Sequence, residues 1–430
     1  MTDASSDKRA FKVWWERLTF FTYFIASLFM ILFSVSSVQE WAYPWNHIFI
    51  FIACLLPAAL LTMEKVKDGL SNFRLSPEFL FIVTILILGA LNIIFSDNRK
   101  MSLNGMGLFL MSGIFSFIST SLFCGSLPKQ SLLPGFFAAI FVFVCLFGFY
   151  EVLTGSRIHL LSGNPIPAGS LIILLSIGPM IKAQRSSGKL ELYLWLSSLF
   201  AGVALLILIG KKGPFVALFF MVLFLSVFFL KNITKVFAIS IATILSVGCL
   251  VLIGRLNNFQ KILEGKDWAY SIYFRLENYF YGYHIFKKHP LVGTGFPSQI
   301  ANFYQDYQLH FPKKITIEAY SQFIEKINTL ENMALTLLVE MGGLMSVAYI
   351  MLVLFCCLRF IQTTRETPNR RSDLGFIIAG LLGFFVHSMT YDSLRYPNLN
   401  WIFHSILGMM LGLANSYSTT TKPSNFLSKP

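Results

Sequence analysis

Long apolar runs recur along most of the chain and are separated by short polar gaps. Runs of about 17 to 25 apolar residues have the length of a helix that crosses a bilayer. Lipid offers the backbone no hydrogen-bond partner, so each run must satisfy its N–H and C=O groups within one helix. Only 13% of the residues are charged, about half the share found in soluble domains. The pattern therefore predicts an all-α integral membrane protein and excludes a soluble domain, a β-barrel and a disordered chain.

The spacing of the runs predicts about twelve transmembrane helices and one large polar loop. The apolar windows lie near residues 19–37, 47–62, 78–95, 103–123, 132–150, 167–181, 190–209, 214–230, 236–254, 333–355, 374–390 and 400–416. They divide the chain into a tail at 1–18, a bundle of about nine spans at 19–254, the large loop at 255–332, about three further spans at 333–416 and a tail at 417–430. Amphipathic stretches at Tyr270–Lys288 and Ile315–Ile327 predict interfacial helices within the loop, and a long solvated loop without chemistry is the simpler alternative.

Basic residues set the predicted orientation. Cytoplasmic loops of membrane proteins carry an excess of Lys and Arg, and a cytoplasmic N-terminus places the most basic gaps on that side. These gaps contain Lys65, Lys67, Arg74, Lys182, Arg185, Lys189, Lys231, Lys235, Arg359, Arg365, Arg370 and Arg371. Both termini are then cytoplasmic, and the large loop is extracytoplasmic. This topology also accounts for the formal net charge of +13 without nucleic-acid binding.

Several cations fall on the extracytoplasmic side, where short loops usually avoid them. Lys211 and Lys212 lie in a tight turn between two apolar runs, so their ammonium groups must reach the membrane interface or a polar cavity. An anion site and two lysines that snorkel to lipid headgroups are the alternatives. Arg275 precedes the basic, glycine-containing segment 286–296, and a guanidinium matches two phosphate oxygens. The alternative for Arg275 is a pair with a nearby acid such as Glu277.

Carboxylates close to the apolar runs, or within them, are candidate catalytic groups. Glu331 precedes one run and Glu340 lies inside it. A carboxylate in such a position can act as general base for a substrate hydroxyl, whereas Glu331 can instead favour the positive end of a helix dipole. His387, Tyr391, Asp392 and Arg395 follow one another at near-helical spacing at the end of a span. The simpler reading of Asp392 and Arg395 is a pair with each other.

Motifs of several other chemistries are missing from the sequence. The chain has no Gly-x-x-x-x-Gly-Lys-Ser/Thr phosphate loop, no His-Glu-x-x-His zinc site, no Gly-x-Gly-x-x-Gly fingerprint and no Asp-x-Asp pair. These absences disfavour an ATP-driven pump, a zinc protease and a nucleotide-sugar synthase. The six cysteines lie in or at the edges of apolar runs, so the sequence predicts neither a disulfide framework nor a zinc site.

Four segments in the middle and C-terminal two-thirds of the chain carry a further pattern. They are RIHLLSGNPIPAG at 157–169, GKKGP at 210–214, the stretch 275–295, and LENMALTLLVEMGG at 330–343. In order, they resemble an Arg…Gly-x-x-x-Asn-Pro-Asn segment, an Arg-Gly turn between spans, an Arg-x-x-x-Tyr/Trp…His-Pro-Leu-x-Gly-x-Gly segment and a His-Asn…Leu-x-Glu-x-Gly helix. These are motifs of the O-antigen ligase and Wzy-type polymerase superfamily of bacterial membrane glycosyltransferases. The third match is the most specific.

The resemblance implies a fold of about twelve helices with a large periplasmic loop, in the bacterial inner membrane. It implies transfer of a glycan from a polyprenyl diphosphate carrier to a hydroxyl of a glycan or lipid acceptor in O-antigen-like surface polysaccharide assembly, without nucleotide or metal. Membrane lipids and other polysaccharide-assembly proteins are the further partners it implies. The predicted diphosphate ligands are Lys211, Lys212, Arg275, Arg157 and Arg395. The predicted catalytic groups are Glu331 and Asp392.

Two positions depart from the ligase pattern. Lys212 stands where the family has Arg, which gives a point charge without a bidentate fork, and Glu331 stands where ligases have the His that acts as base. Because polymerases vary more at these positions, the sequence favours a polymerase that joins lipid-linked repeat units, with a ligase that attaches the glycan to lipid A-core as the alternative. A transporter or flippase of a lipid-linked or anionic solute is more distant, since it usually needs two related halves. A scaffold would leave the extracytoplasmic cations unexplained.

Overall fold

The structure is a computed structural model that describes only part of the chain. The described residues are 3–32, 46–67, 77–125, 132–156, 158, 160, 165–229, 266–298, 300–310, 324–325, 329–365 and 371–420. Within these ranges the regular secondary structure is entirely helical. This confirms the predicted all-α class for the described part of the chain.

The helices are α1 (Asp3–Leu32), α2 (Asn46–Lys67), α3 (Pro77–Ile94), α4 (Arg99–Cys124), α5 (Leu132–Leu153), α6 (Pro165–Leu175 continued by Ile177–Gln184), α7 (Lys189–Ile209), α8 (Lys212–Phe229), α9 (Lys266–Lys288), α10 (Tyr304–His310), α11 (Met333–Thr336), α12 (Gly342–Arg365), α13 (Arg371–Ser388) and α14 (Pro397–Thr420). A π-helical turn, Met111–Phe115, lies inside α4, and a second one, Leu337–Met341, joins α11 to α12.

Seven helical segments within the described residues are long and apolar enough to cross a membrane. They are α3 to α8 and the joined segment α11–α12. A helix lies at each predicted apolar window except 236–254, which lies outside the described residues. α1 starts earlier than the predicted span, at Asp3, so most of the predicted tail 1–18 is helical. The total of about twelve spans and the periplasmic position of the large loop stay predictions.

α14 lies at the centre of the bundle. Every residue from 398 to 414 is buried, and the helix contacts α1, α4 and α12. Gly408 and Gly412 approach α4 so closely that a Cβ atom at either position would collide with its backbone. Small residues four positions apart permit this close packing of membrane helices. The loop before α14 lies against the start of α11, where Thr336 donates a hydrogen bond to Asp392 at 2.7 Å.

The segment α11–α12 is broken in its middle. After the π-helical turn, Gly342 has φ 80°, in the left-handed region, and a Cβ atom there would collide with the backbone of residues 291–293. Four backbone hydrogen bonds join the break to this neighbouring segment: Thr294 N to Val339 O at 3.1 Å, Gly295 N to Glu340 O at 3.0 Å, Gly343 N to Pro290 O at 2.8 Å, and Leu344 N to Leu291 O at 3.2 Å. Backbone groups freed by the break are therefore satisfied inside the protein, as membrane depth requires.

Asn92 of α3 forms hydrogen bonds to both segments that meet at the break in α11–α12. Its side-chain amide donates to the carbonyl oxygens of Val292 at 2.6 Å and Glu340 at 2.7 Å. Its Oδ1 accepts a hydrogen bond from the backbone N–H of Phe296 at 3.1 Å. Asn92 is fully buried. α3 therefore connects the N-terminal third of the chain to the broken helix.

A small aromatic core lies beside the start of α11. Tyr281 of α9 packs on Tyr307 of α10 with ring centroids 5.2 Å apart, and Leu330 belongs to the same cluster. α9 covers the predicted amphipathic stretch 270–288, whereas the second predicted stretch, 315–327, lies mostly outside the described residues. The cluster holds α9 against the chain that leads into α11.

Candidate active site

Glu331 lies just outside the first turn of α11. Asn332 caps this helix, because its side chain accepts from the N–H of Leu335 at 3.0 Å and donates to the carbonyl of Met389 at 2.9 Å. Glu331 is half-buried and has φ 49°, a left-handed conformation that is uncommon for a residue with a Cβ atom. Strained backbone of this kind concentrates at functional sites. Glu331 therefore precedes the helix cap and is held in an unusual conformation there.

Charged groups from separate parts of the chain act on Glu331. Burial and the carboxylate of Asp392 raise the pKa of Glu331 above its ordinary value. The cations of Arg275 and Lys211 oppose this increase. Arg275 belongs to α9, and Lys211 lies in the turn between α7 and α8. The structure thus brings four of the predicted site residues into one electrostatic neighbourhood.

Asp392 is the second carboxylate of this neighbourhood and is buried. Its Oδ1 accepts a hydrogen bond from Thr336 at 2.7 Å, and its Oδ2 accepts one from Thr329. Thr329 and Thr336 stand on either side of Glu331 in the sequence. Asp392 therefore fastens both ends of the short segment that carries Glu331.

Arg395 lies between two carboxylates. Its guanidinium forms an ion pair with Glu340, and its Nε lies 3.8 Å from Oδ2 of Asp392. The pairing that the sequence allowed for Asp392 is present, and Glu340 is a further partner. Glu340 is completely buried and accepts from the hydroxyl of Ser298 at 3.4 Å. Arg395 thus links the buried Glu340 to Asp392.

Arg275 lies on α9, one turn before Tyr279. Tyr279 accepts a hydrogen bond from the side chain of Asn332 at 3.1 Å, so this face of α9 points to the start of α11. Arg275 is exposed, whereas Glu277, two positions later, is buried. Residues two apart on a helix do not face each other. The alternative of a pair between Arg275 and Glu277 is therefore disfavoured by their positions.

Lys211 and Lys212 follow the end of α7. Gly210 ends that helix with φ 66°, a left-handed cap that glycine adopts without strain. Both lysines are exposed. Gly213 lies so close to α13 that a Cβ atom there would be 2.8 Å from the ring of His387. The turn that carries the two lysines is therefore packed against the end of α13.

The remaining predicted ligand, Arg157, lies outside the described residues. The helix that follows its segment is α6, and two of its residues reach the same region. Ser170 hydrogen-bonds to Nδ1 of His387, and Gly169 packs closely on Pro214. The lysine turn thus lies next to the first turns of α6.

Comparison with known families adds a second line of evidence. Residues 196–350 match the family model described as O-antigen ligase. The chain carries an O-antigen ligase domain. The resemblance to the O-antigen ligase and Wzy-type polymerase superfamily is thereby confirmed, and it gives the broad class of function, a membrane ligase or polymerase of that type. A comparison with curated proteins finds no match.

The O-antigen ligase domain does not contain the whole site. Lys211, Lys212, Arg275 and Glu331 fall within the matched residues, and so does the broken helix. Asp392 follows the matched residues, yet it bonds to Thr329 and Thr336 inside them. The C-terminal helices therefore complete a site that the domain begins.

The sequence pattern assigned no role to the neutral polar residues beside Asp392. Tyr391 and Tyr396 bond through their hydroxyl groups, with stacked rings 5.7 Å apart, beside Asp392. Burial, together with Tyr396, raises the pKa of Tyr391 far above its ordinary value. Thr329 and Thr336 were also missed. Only their position on both sides of Glu331 could have indicated a role, because a threonine in a loop or in an apolar run predicts little by itself.

Proposed function

We propose that the protein transfers a glycan from a polyprenyl diphosphate carrier to an acceptor hydroxyl during O-antigen-like surface polysaccharide assembly in the bacterial inner membrane. The observation that carries this proposal is the environment of Glu331. A half-buried carboxylate with a raised pKa lies near a second carboxylate and within reach of two cations from different segments. Such an arrangement suits a reaction that separates a diphosphate anion from an electron-poor sugar carbon.

In the proposed reaction the acceptor oxygen attacks the anomeric carbon of the donor glycan. The bond between that carbon and the diphosphate oxygen breaks, and the bonding electrons leave with the diphosphate. The hydroxyl proton passes to the carboxylate of Glu331, which acts as general base. The products are the extended glycan, the polyprenyl diphosphate and a protonated Glu331. Protons and charge balance without a further reactant.

The basic residues hold the leaving group in this proposal. Lys211, Lys212 and Arg275 contact the diphosphate, with Arg157 and Arg395 as additional cations. Arg275 offers the planar fork that binds two phosphate oxygens, whereas the lysines act as point charges. Asp392 assists Glu331 in two ways. It binds Thr336 in the segment that carries Glu331, and its charge raises the pKa of Glu331. No cofactor takes part in the proposed step.

We favour a polymerase that joins lipid-linked repeat units over a ligase that attaches the glycan to lipid A-core. The support is Glu331, which stands where ligases of the superfamily have the His base. A strain that lacks the gene distinguishes the two on a gel of surface polysaccharide. Loss of a polymerase leaves single repeat units attached to the acceptor, whereas loss of a ligase leaves long chains on the carrier.

Reconstitution tests the transferase function itself. The purified protein in liposomes, given a polyprenyl-diphosphate-linked repeat unit, should form a new glycosidic bond and release the carrier. Arg275→Ala should abolish product while the protein remains in the membrane. Movement of the donor across the bilayer without bond formation would instead support a transporter and contradict the proposal.

A further inference from the structure

His387 occupies a junction of three chain segments and has no role in the reaction proposed above. It lies in the last turn of α13 and is completely buried. Its Nδ1 is hydrogen-bonded to the hydroxyl of Ser170 on α6. On the opposite side, the Cδ2–Nε2 edge of the ring abuts Gly213. One imidazole ring thus contacts both α6 and the lysine turn, Gly210–Pro214.

The lysine turn is held from two sides. Pro214 packs on Gly169 of α6, so closely that a Cβ atom on Gly169 would collide with the proline ring. Gly213 packs on His387 and Thr390, where a Cβ atom would lie 2.8 Å from the ring of His387 and 2.6 Å from the Thr390 hydroxyl. The turn cannot shift toward α13 without displacing the imidazole. The positions of the lysine side chains therefore depend on where this ring is fixed.

Ser170 extends the junction to the loop that carries Asp392. Its hydroxyl lies 3.2 Å from the hydroxyl of Ser393, the residue after Asp392. Ser170 and Ser393 are both fully buried. His387 and Ser170 together therefore connect the cationic turn to the acidic loop on the other side of the site.

We propose that His387 is a positioning residue that fixes Lys211 and Lys212 relative to the carboxylates of the site. This inference rests on the proposed function, which identifies the bound anion as the diphosphate of the donor. His387 itself touches neither donor nor acceptor. It acts through the backbone of Gly213, and the hydrogen bond to Ser170 sets the plane of its ring. Attraction between a lysine and a phosphate falls with distance, so a displaced turn weakens donor binding.

Two amide side chains separate the contributions of the two ring nitrogens. Asparagine places its amide where Nδ1 of His387 lies, so His387→Asn keeps a partner for Ser170. Glutamine reaches one bond further, toward Nε2, so His387→Gln leaves Ser170 without that partner. Both replace a buried ring by a polar side chain of smaller volume. Both lose the ring edge that abuts Gly213, and a larger effect of His387→Gln would report the additional loss of the hydrogen bond to Ser170.

His404 provides a matched control. It is a fully buried histidine of α14 that bonds to Tyr349 at 3.0 Å and to the carbonyl of Asn400 at 2.8 Å. It contacts Gly113 of α4 and not the lysine turn. His404→Gln therefore removes a buried imidazole of the same bundle without loosening the positions of Lys211 and Lys212.

The experiment measures KM for the lipid-linked donor and kcat in reconstituted protein. His387→Asn and His387→Gln both remove the ring edge that abuts Gly213, so each should raise the donor KM about ten-fold with kcat within about three-fold, whereas His404→Gln should keep the donor KM within about three-fold of the wild type. A donor KM within about three-fold of the wild type in both His387 variants would overturn the proposal. An equal rise in His404→Gln would overturn it as well, because any buried histidine would then have the same effect.

A second readout does not depend on glycan transfer. Lys211→Cys is labelled with a charged, membrane-impermeant thiol reagent, with and without His387→Gln, and each rate is corrected for the protein that lacks the new cysteine. A labelling rate changed at least about three-fold by His387→Gln supports a displaced turn, and an unchanged rate overturns the proposal. If the wild type transfers no glycan, the proposed function fails, and the labelling result still decides the role of His387.

Discussion

Residues from other segments shift the pKa of the Glu331 carboxyl group in opposite directions. Burial and Asp392 favour its protonated form, and Arg275 and Lys211 favour its ionised form. Glu331 also has a left-handed backbone, which is uncommon for a residue with a Cβ atom. A general base is most effective when its pKa lies near the working pH. The raised pKa is therefore the property to test at this residue.

The first prediction concerns the base. Glu331→Gln should lower glycan transfer by roughly 10²- to 10⁴-fold, because an amide cannot accept the proton. Donor KM should change little, since the cations are intact. Glu331→His restores the residue found in ligases of the superfamily and should retain part of the activity. Normal product from Glu331→Gln at normal protein level would move the base elsewhere, to Asp392 or to Glu340.

An exposed glutamate that is not a predicted site residue supplies the control for this test. Glu325 is exposed and is not among the groups that shift the pKa of Glu331. Glu325→Gln should transfer glycan at the rate of the wild type. A comparable loss in Glu325→Gln would show that any removed carboxylate harms the assay.

The second prediction concerns pH. The base must be ionised, so transfer should fall as pH drops through the raised pKa of Glu331. Asp392→Asn removes a charge that raises this pKa and should move the acidic limb of the pH–rate profile to lower pH. Lys211→Gln removes a charge that lowers it and should move the limb to higher pH. Profiles at saturating donor check both shifts, and displacement in the same direction for both variants would contradict the assigned charges.

Among the elements, the broken segment α11–α12 shows most clearly what the sequence did not reveal. Its apolar pattern predicts a helix from 333 to 355 and gives no sign of the break at Gly342. The break depends on backbone partners about fifty residues earlier, in the segment 290–295. Helix windows were predictable because lipid allows few alternatives to an apolar run. A contact between distant segments leaves no such periodicity.

The third prediction tests the hydrogen bonds of Asn92 at the break in α11–α12. Asn92→Leu removes hydrogen bonds to Val292, Glu340 and Phe296 and leaves those backbone groups buried without that partner. Each unsatisfied buried group costs about 1–3 kcal/mol. The midpoint of thermal unfolding in detergent should fall clearly. Ile87→Ala, at an exposed position of the same helix, should change the midpoint little, and an equal fall for both would refute a specific role of Asn92.

Charged site residues were easier to predict than the helix break. In a chain with few charges, Glu331, Arg275 and the two lysines stand out against apolar runs. In the structure the charges of Arg275 and Lys211 act on Glu331. Arg395 was equally conspicuous, but the sequence could not show that Glu340 is its closest partner. An ion pair between residues fifty-five positions apart depends on packing, which composition does not encode.

At the scale of the whole molecule, the two ends of the bundle carry different sets of charged residues. The turn after α7, the start of α11 and the loop before α14 meet at the candidate site. The opposite end holds the end of α6 and the start of α13, which are joined by the ion pair of Arg185 with Asp373. Lys182 lies there too, 3.7 Å from Glu191 at the start of α7. Positive charge in short loops favours the cytoplasm, so we expect the site end to face away from it.

The last prediction tests this orientation. Alkaline phosphatase, which folds only outside the cytoplasm, should be active when it is fused after His310, between α10 and α11. A fluorescent protein that matures in the cytoplasm should fluoresce when it is fused after Arg365 or at the C-terminus. The reason is that α12 runs from the site end to the opposite end, so 310 and 365 must lie on different sides of the bilayer. Phosphatase activity at the C-terminus and none after His310 would place Glu331 and the cations on the cytoplasmic face. The donor would then have to meet the site before it crosses the membrane, which the proposed transfer does not allow.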